Sequence, residues 1–326
     1  MNKFALFNIF NKITIAFFKN KFLKFFFKLC FFLFISLNLK NNNLYYIVIL
    51  NLAMLFISTS GPLGRYISIP PPITIWFRSL IAILFLICYA WLKKKSFKID
   101  LNNHGLALFI SGLFLGLHWI TYFFALQWSN VTVGMLSLFT YPIITVFLEP
   151  LFIPVKLKAR HIIFGILILI GVFFLVPNFD FNDKATQGLL VGIFSAIAYS
   201  LRNLILKKHN SMADGSIQMI YQLFVVMLLL LPFFLIYSDY QIQSDLPYLL
   251  LLGFITTALG HTLFLSSFSH FSISTASIIS SVQPLFGIIL GIIFLNEMPN
   301  IKNIIGGILI LGTVVVESIK SKEDDR

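Results

Sequence analysis

Charge is what this sequence has least of. Lys, Arg, Asp and Glu make up 11% of its 326 residues, where a soluble domain carries about 25%. So thin a supply leaves no polar coat for a water-soluble enzyme. The 58% apolar content equally excludes a disordered chain, which needs low hydrophobicity. Cysteine is nearly absent too: Cys30 and Cys88 lie far apart in apolar runs and outline no disulfide framework. There is no P-loop lysine, which excludes an ATPase domain on this chain, and no Gly-x-Ser-x-Gly elbow. The six histidines form no HxxxH or HExxH pair on one helix face, so neither a metal nor a cofactor is expected. A formal charge of +12 would suit nucleic acid, but base reading needs those charges on a soluble face. No nucleic-acid partner is expected.

What the sequence has instead is long apolar runs. A helix crosses the hydrocarbon core with about 20 apolar residues. Ten such segments follow residue 44, near 44–65, 73–92, 105–126, 131–150, 161–177, 188–206, 217–237, 246–268, 273–295 and 303–319. None alternates as a barrel strand does. The expected fold class is an all-α integral membrane protein with ten transmembrane helices, its first partner the lipid bilayer. Orientation follows from where Lys and Arg collect. With residue 44 on the cytoplasmic side, twelve cations, among them Lys93 to Lys95, Lys156, Arg160 and Lys207, fall inside. Only Lys184, Lys302 and Arg65 lie outside or near the outer end of a span. Both ends of the ten-helix body are therefore expected in the cytoplasm, in the plasma or inner membrane.

The body repeats. Gly165 to Leu169 recurs as Gly307 to Leu311, a shift of 142, and the same shift carries Pro142 onto Pro284. Residues 44–185 and 186–326 then form two units of five spans. An odd number of spans inverts one unit against the other. Inverted repeats of this kind belong to secondary transporters, with the substrate near the midplane between the halves.

Here the residues also resemble a family. Gly112 to Val172, with Phe124-Ala125-Leu126, small residues from Ser129 to Ser137, Tyr141-Pro142 and Gly165 to Gly171, is similar to the first EamA domain of the drug/metabolite transporter superfamily. Gly253 to Val316 is similar to the second, through Ser274 to Ser281, Gln283-Pro284, Leu295-Asn296-Glu297 and Gly306 to Gly312. Arg78 with Ser79 and Ala82 resembles the arginine that opens the family's second helix. The resemblance implies ten helices, an inverted five-plus-five repeat, cytoplasmic termini and export. One departure stands out. Glu297 follows Pro284 by thirteen residues, but thirteen past Pro142 lies Val155, and the nearest acid is Glu149.

Polar groups inside a membrane are costly, so each is a candidate for function. The alternative for each is a hydrogen bond between helices or a head group reaching the interface. Tyr141 and Gln283 are equivalent under the shift, sit near mid-depth and precede the helix-breaking Pro142 and Pro284. His118 and Tyr122 share a face with Trp119 beside them, and the shift takes Trp119 to His261. A histidine here could touch substrate or carry a proton as coupling ion. Glu149 is a coupling carboxylate or the counter-charge of an arginine, about 15 Å from His118 along the membrane normal. Arg202 with Tyr199, near Ser200, and Ser58 complete the candidates. Arg65 and Arg78 are expected to snorkel or pair, although a carboxylate substrate would suit any of these arginines. Gly188-x-x-x-Gly192 and Gly287-x-x-x-Gly291 read as close-packing signatures.

Residues 1–43 hold seven lysines, twelve phenylalanines and no acid. They read as sequence upstream of the true start, as a basic interfacial helix, or as a weak extra span. The function expected is a secondary-active carrier of a small polar organic metabolite, such as an amino acid or amine, working by alternating access and not an enzyme. The alternatives are a membrane-embedded isomerase or lipid-modifying enzyme using a His/Glu pair, and a channel or scramblase.

Overall fold

A computed structural model describes residues 43–154, 156–176, 180–209, 214–267 and 280–324. The reading of residues 1–43 falls almost wholly outside these, as does most of the stretch before Gln283. The described residues are helical throughout, without strands. Helix α1 (Asn43–Ser58) runs on into α2 (Ser60–Tyr66), followed by α3 (Pro71–Leu92) and α4 (Leu101–Trp128). Then come α5 (Val131–Leu138), α6 (Tyr141–Leu148), α7 (Ala159–Phe173), α8 (Lys184–Lys208) and α9 (Gly215–Leu230). Next is α10 (Ile242–Leu251), which continues through a wide, π-type stretch Leu252–His261 into α11 (Thr262–Ser267). Helices α12 (Gln283–Leu295) and α13 (Ile301–Asp324) close the chain.

Among the described residues, seven helical stretches can cross a membrane by length and composition, from Val48–Tyr66 to Ile242–Phe264. Ala159–Phe173 and Gln283–Leu295 are shorter apolar helices. Helix starts are set by local chemistry. Proline stands in the first turn of α3, α6 and α12, where its missing N–H costs nothing. Asp100, Asn130 and Asp214 cap α4, α5 and α9 by accepting backbone N–H bonds.

The fourth expected span, 131–150, is not one helix. It breaks at Phe139 and Thr140 and restarts at Tyr141, just before Pro142. A turn at Ser281 and Val282 precedes Gln283 and Pro284 in the same way. The shift of 142 relates the two breaks residue by residue.

The helices approach closely where side chains are absent. A methyl on Gly188 would stand 3.1 Å from the Ala125 carbonyl oxygen and 3.0 Å from the Ser129 nitrogen, so α8 lies directly on α4. Gly287 and Gly291 likewise set α12 against Met135 and Val131 of α5. Both glycine pairs are thus packing features. Large apolar side chains face outward instead, as with Ile162, Ile166, Leu169 and Phe173 along α7. Exposed apolar faces of this kind fit lipid, which solvates them as well as a core would.

Candidate functional site

A cavity of about 40 Å³ opens between α1 to α6, α8, the π-type stretch, α11 and α12. Seven sequence-predicted residues line it: His118, Trp119, Tyr122, Tyr141, Tyr199, His261 and Gln283. Side chains that are distant in sequence meet here in an aromatic lining. The His118 ring lies 4.6 Å from Tyr199 and 6.1 Å from Tyr122, and Tyr199 meets Tyr141 edge-on at 4.8 Å. Trp119 and His261, equivalent positions of the two halves, face each other at 6.1 Å.

His118 is held in one tautomer by its partner. Ser195 Oγ gives its proton to the His118 carbonyl at 2.8 Å and lies 2.7 Å from Nδ1. A hydroxyl has only one proton, so Nδ1 is the donor of that second bond and Nε2 is left an acceptor. Ser195 was not among the expected residues. It lies one helical turn before Tyr199, on the same face of α8, and that spacing was the available signal.

Two serines tie the helix breaks to the opposite half. Ser58 Oγ shares its one proton between the Met54 carbonyl at 2.5 Å and the Gln283 carbonyl at 2.8 Å, and Ser200 Oγ donates to the Tyr141 carbonyl at 3.0 Å. Ser58 and Ser200 differ by 142, as do Tyr141 and Gln283. Ser58 therefore buttresses a break rather than lining the cavity.

The ends of the bundle carry a second matched pair. Arg65, at the end of α2, reaches Glu297 Oε1 at 2.9 Å, and Glu297 Oε2 accepts from the Val131 N–H at 2.8 Å. Lys207, at the end of α8, reaches Glu149 Oε1 at 2.6 Å. Arg65 and Lys207 also differ by 142. Val131 opens the helical stretch Val131–Leu151 and Glu149 stands near its far end, so the two bridges lie at opposite ends of that stretch. Glu149 thus pairs with a lysine rather than an arginine, and its displaced position keeps the pairing that Glu297 makes.

Two arginines are held by partners from other helices. Arg78 does not snorkel. It is 1% exposed, lines the cavity and lays its guanidinium 3.8 Å over the Trp119 ring. Its Nε donates to Thr257 Oγ1 at 2.7 Å, and Thr257 in turn donates to the Leu252 carbonyl across the wide helix turn. Arg202 turns away from the cavity. Its Nη2 donates to Gln222 Oε1 at 2.8 Å and Nε to the same oxygen at 3.1 Å, so it ties α8 to α9.

Two stretches, 44–176 and 186–318, match the profile of the EamA-like transporter family. The chain belongs to this family. Among its relatives is a protein named pseudopaline exporter CntI of Pseudomonas aeruginosa, 23% identical over 263 residues, which span 78% of this chain and 88% of the relative. Another is an uncharacterized transporter of Archaeoglobus fulgidus, 25% identical over 242 residues, 73% of this chain and 84% of the relative. A solved crystal structure shares the fold, with TM-score 0.60 and 16% identity over 85% of this chain and 99% of that one. This EamA-family chain is accordingly a multi-pass membrane transporter of a small-molecule substrate.

Proposed function

We propose that this transporter is a secondary-active carrier of a small polar organic metabolite, an amino acid, an amine or a close relative, and that it exports it. The repeats are 44–185 and 186–326, each with five crossings, inverted against one another in the plasma or inner membrane. Both termini lie in the cytoplasm, where the twelve cations collect. The observation that carries this reading is the pair of equivalent ion bridges. Arg65–Glu297 and Lys207–Glu149 link opposite halves at opposite ends, with the cavity between them. Alternating access rocks one repeat against the other around a fixed site, and two such bridges serve it as latches, one released while the other holds. Release of Arg65–Glu297 opens the outer side, and release of Lys207–Glu149 opens the cytoplasmic side. His118, Trp119, Tyr122, Tyr141, Tyr199, His261 and Gln283 form the substrate pocket. Protons serve as coupling ion through Glu149 or His118. Export is favoured by the family resemblance and by the exporter among the relatives.

The test has two stages. Metabolites inside and outside a strain lacking the protein are compared with those of its parent to find the solute. The full chain in proteoliposomes is then assayed for counterflow of that labelled solute. Exchange above protein-free vesicles supports the carrier, and a chemically altered product would support an enzyme instead.

A further inference from the structure

Among the described residues, Arg78 is the one lysine or arginine that lines the cavity, and none of their carboxylates pairs with it. A buried charge left unpaired is strongly destabilising. Here the Trp119 face and the Thr257 hydroxyl offset part of that cost. The Nη1 group has no hydrogen-bond partner among the described residues, and the Tyr122 hydroxyl, beside Ser60, borders the same cavity. The acids are engaged elsewhere. Glu149 and Glu297 form the two latches, Asp214 pairs with Lys95, Asp245 accepts from Ser68 and Ile69, and Glu317 faces Arg160 and His161. The rest lie in connections or near the C-terminal end, and residues 1–42 and 268–279 contain no acid.

We propose that Arg78, seated on Trp119, anchors a carboxylate of the transported solute, which supplies the negative charge this pocket lacks. Guanidinium and carboxylate match in geometry and in single, opposite charge, whereas a phosphate dianion would exceed the one cation present. The Tyr122 hydroxyl is placed as a second donor. The remainder of the solute lies against the aromatic lining between His118 and His261. At about 40 Å³ the cavity admits a few water molecules, so binding must also enlarge it. This assignment rests on the carrier reading and narrows its substrate to the acid-bearing metabolites.

Thermal unfolding of the purified full chain tests it. The probes are acetate, lactate, glutamate and 2-oxoglutarate, set against acetamide, ethanolamine and inorganic phosphate at equal ionic strength. At least one carboxylate is expected to raise Tm while the amide, amine and phosphate do not. Arg78→Lys keeps the charge but loses the planar fork, and is expected to weaken that carboxylate about tenfold to a hundredfold. Arg78→Gln is expected to abolish the shift. If the glutamine variant does not fold, the lysine variant carries the comparison, with Trp119→Phe as its control for retained stacking. The anchor is overturned if no carboxylate shifts Tm, if the amine or phosphate does so instead, or if the shift persists undiminished in Arg78→Lys. Counterflow of the bound carboxylate is scored separately. Binding without counterflow removes the carrier reading and leaves the anchor standing. Counterflow of a solute without a carboxylate, unchanged in Arg78→Lys, removes the anchor and leaves the carrier.

Discussion

Lys207 follows Arg65 by 142 residues, and each sits at the end of the equivalent helix bridging to an acid of the other half of the chain. The distances are 2.6 Å from Lys207 to Glu149 and 2.9 Å from Arg65 to Glu297. The acids themselves are not at equivalent positions. What the two halves share is the bridge, not the residue number of the carboxylate.

Both bridges are partly exposed, so they contribute little to folding. Exposed pairs are worth about 0–1 kcal/mol. Lys207→Glu alone is expected to leave thermal stability within about that range while disturbing transport severalfold. The double reversal Lys207→Glu with Glu149→Lys should restore the rate. Counterflow and thermal unfolding measured on the same preparations check this; reversal without rescue would show that the pairing has no role in transport.

The two serine buttresses are expected to matter for stability. Ser58→Ala and Ser200→Ala each remove one donor from a carbonyl beside a helix break. Each should cost about 1 kcal/mol, seen as a lower Tm, and the two costs should be similar because the sites are equivalent. The Tyr141 carbonyl also accepts from Thr145 at 2.8 Å and Ser58 shares its proton with the Met54 carbonyl at 2.5 Å, so both losses are expected at or below that figure.

Much of this architecture could be read from the residues, and the reasons are physical. Apolar length and the mid-span prolines mark spans and breaks directly, because the bilayer fixes one and the missing N–H fixes the other. The shift of 142 already paired Tyr141 with Gln283 and Ser58 with Ser200. It could not say that each serine crosses to the other half, since that depends on how the halves intertwine. The choice between snorkelling and pairing for Arg78 is open in the sequence for the same reason. Its depth within α3 was readable, but Trp119 of α4 and Thr257 of the wide helical turn, which hold it inward, were not. The π-type stretch Leu252–His261 has no local signal, because its geometry is imposed by packing against α1 and α3. Glu149 is readable as the nearest acid to the shifted position, but its lysine partner, 58 residues away, is set by packing.

Outside the spans, Asp214 sets an acid-side limit on stability. Partial burial pushes its carboxyl up, but the hydrogen bonds from Lys95 and Ser216 outweigh this and hold it below its ordinary value. A depressed carboxylate adds stability that is complete above its unfolded pKa and is lost as pH falls through the folded one. The loss therefore falls below about pH 4. Thermal unfolding across that range should show a shallower acid-side fall in Asp214→Asn than in the parent; identical slopes would remove Asp214 from the account.

Proton coupling is tested by the pH profile of counterflow. If Glu149 carries the proton, protonation frees Lys207 and Glu149→Gln mimics that state permanently, so its profile should flatten on the acid side. If His118 carries it, His118→Ala should flatten the profile while Glu149→Gln does not. A normal pH dependence in either variant excludes the residue replaced.

The most direct measurement is the side from which the cavity becomes reachable. Ser60 lines it, and a Ser60→Cys chain with Cys30 and Cys88 replaced offers one thiol to a membrane-impermeant reagent. Releasing one latch by Glu297→Gln should raise labelling from the outer face, and releasing the other by Glu149→Gln should raise it from the cytoplasmic face. Labelling that increases from the same face in both variants, or in neither, would contradict two opposed latches around a shared site.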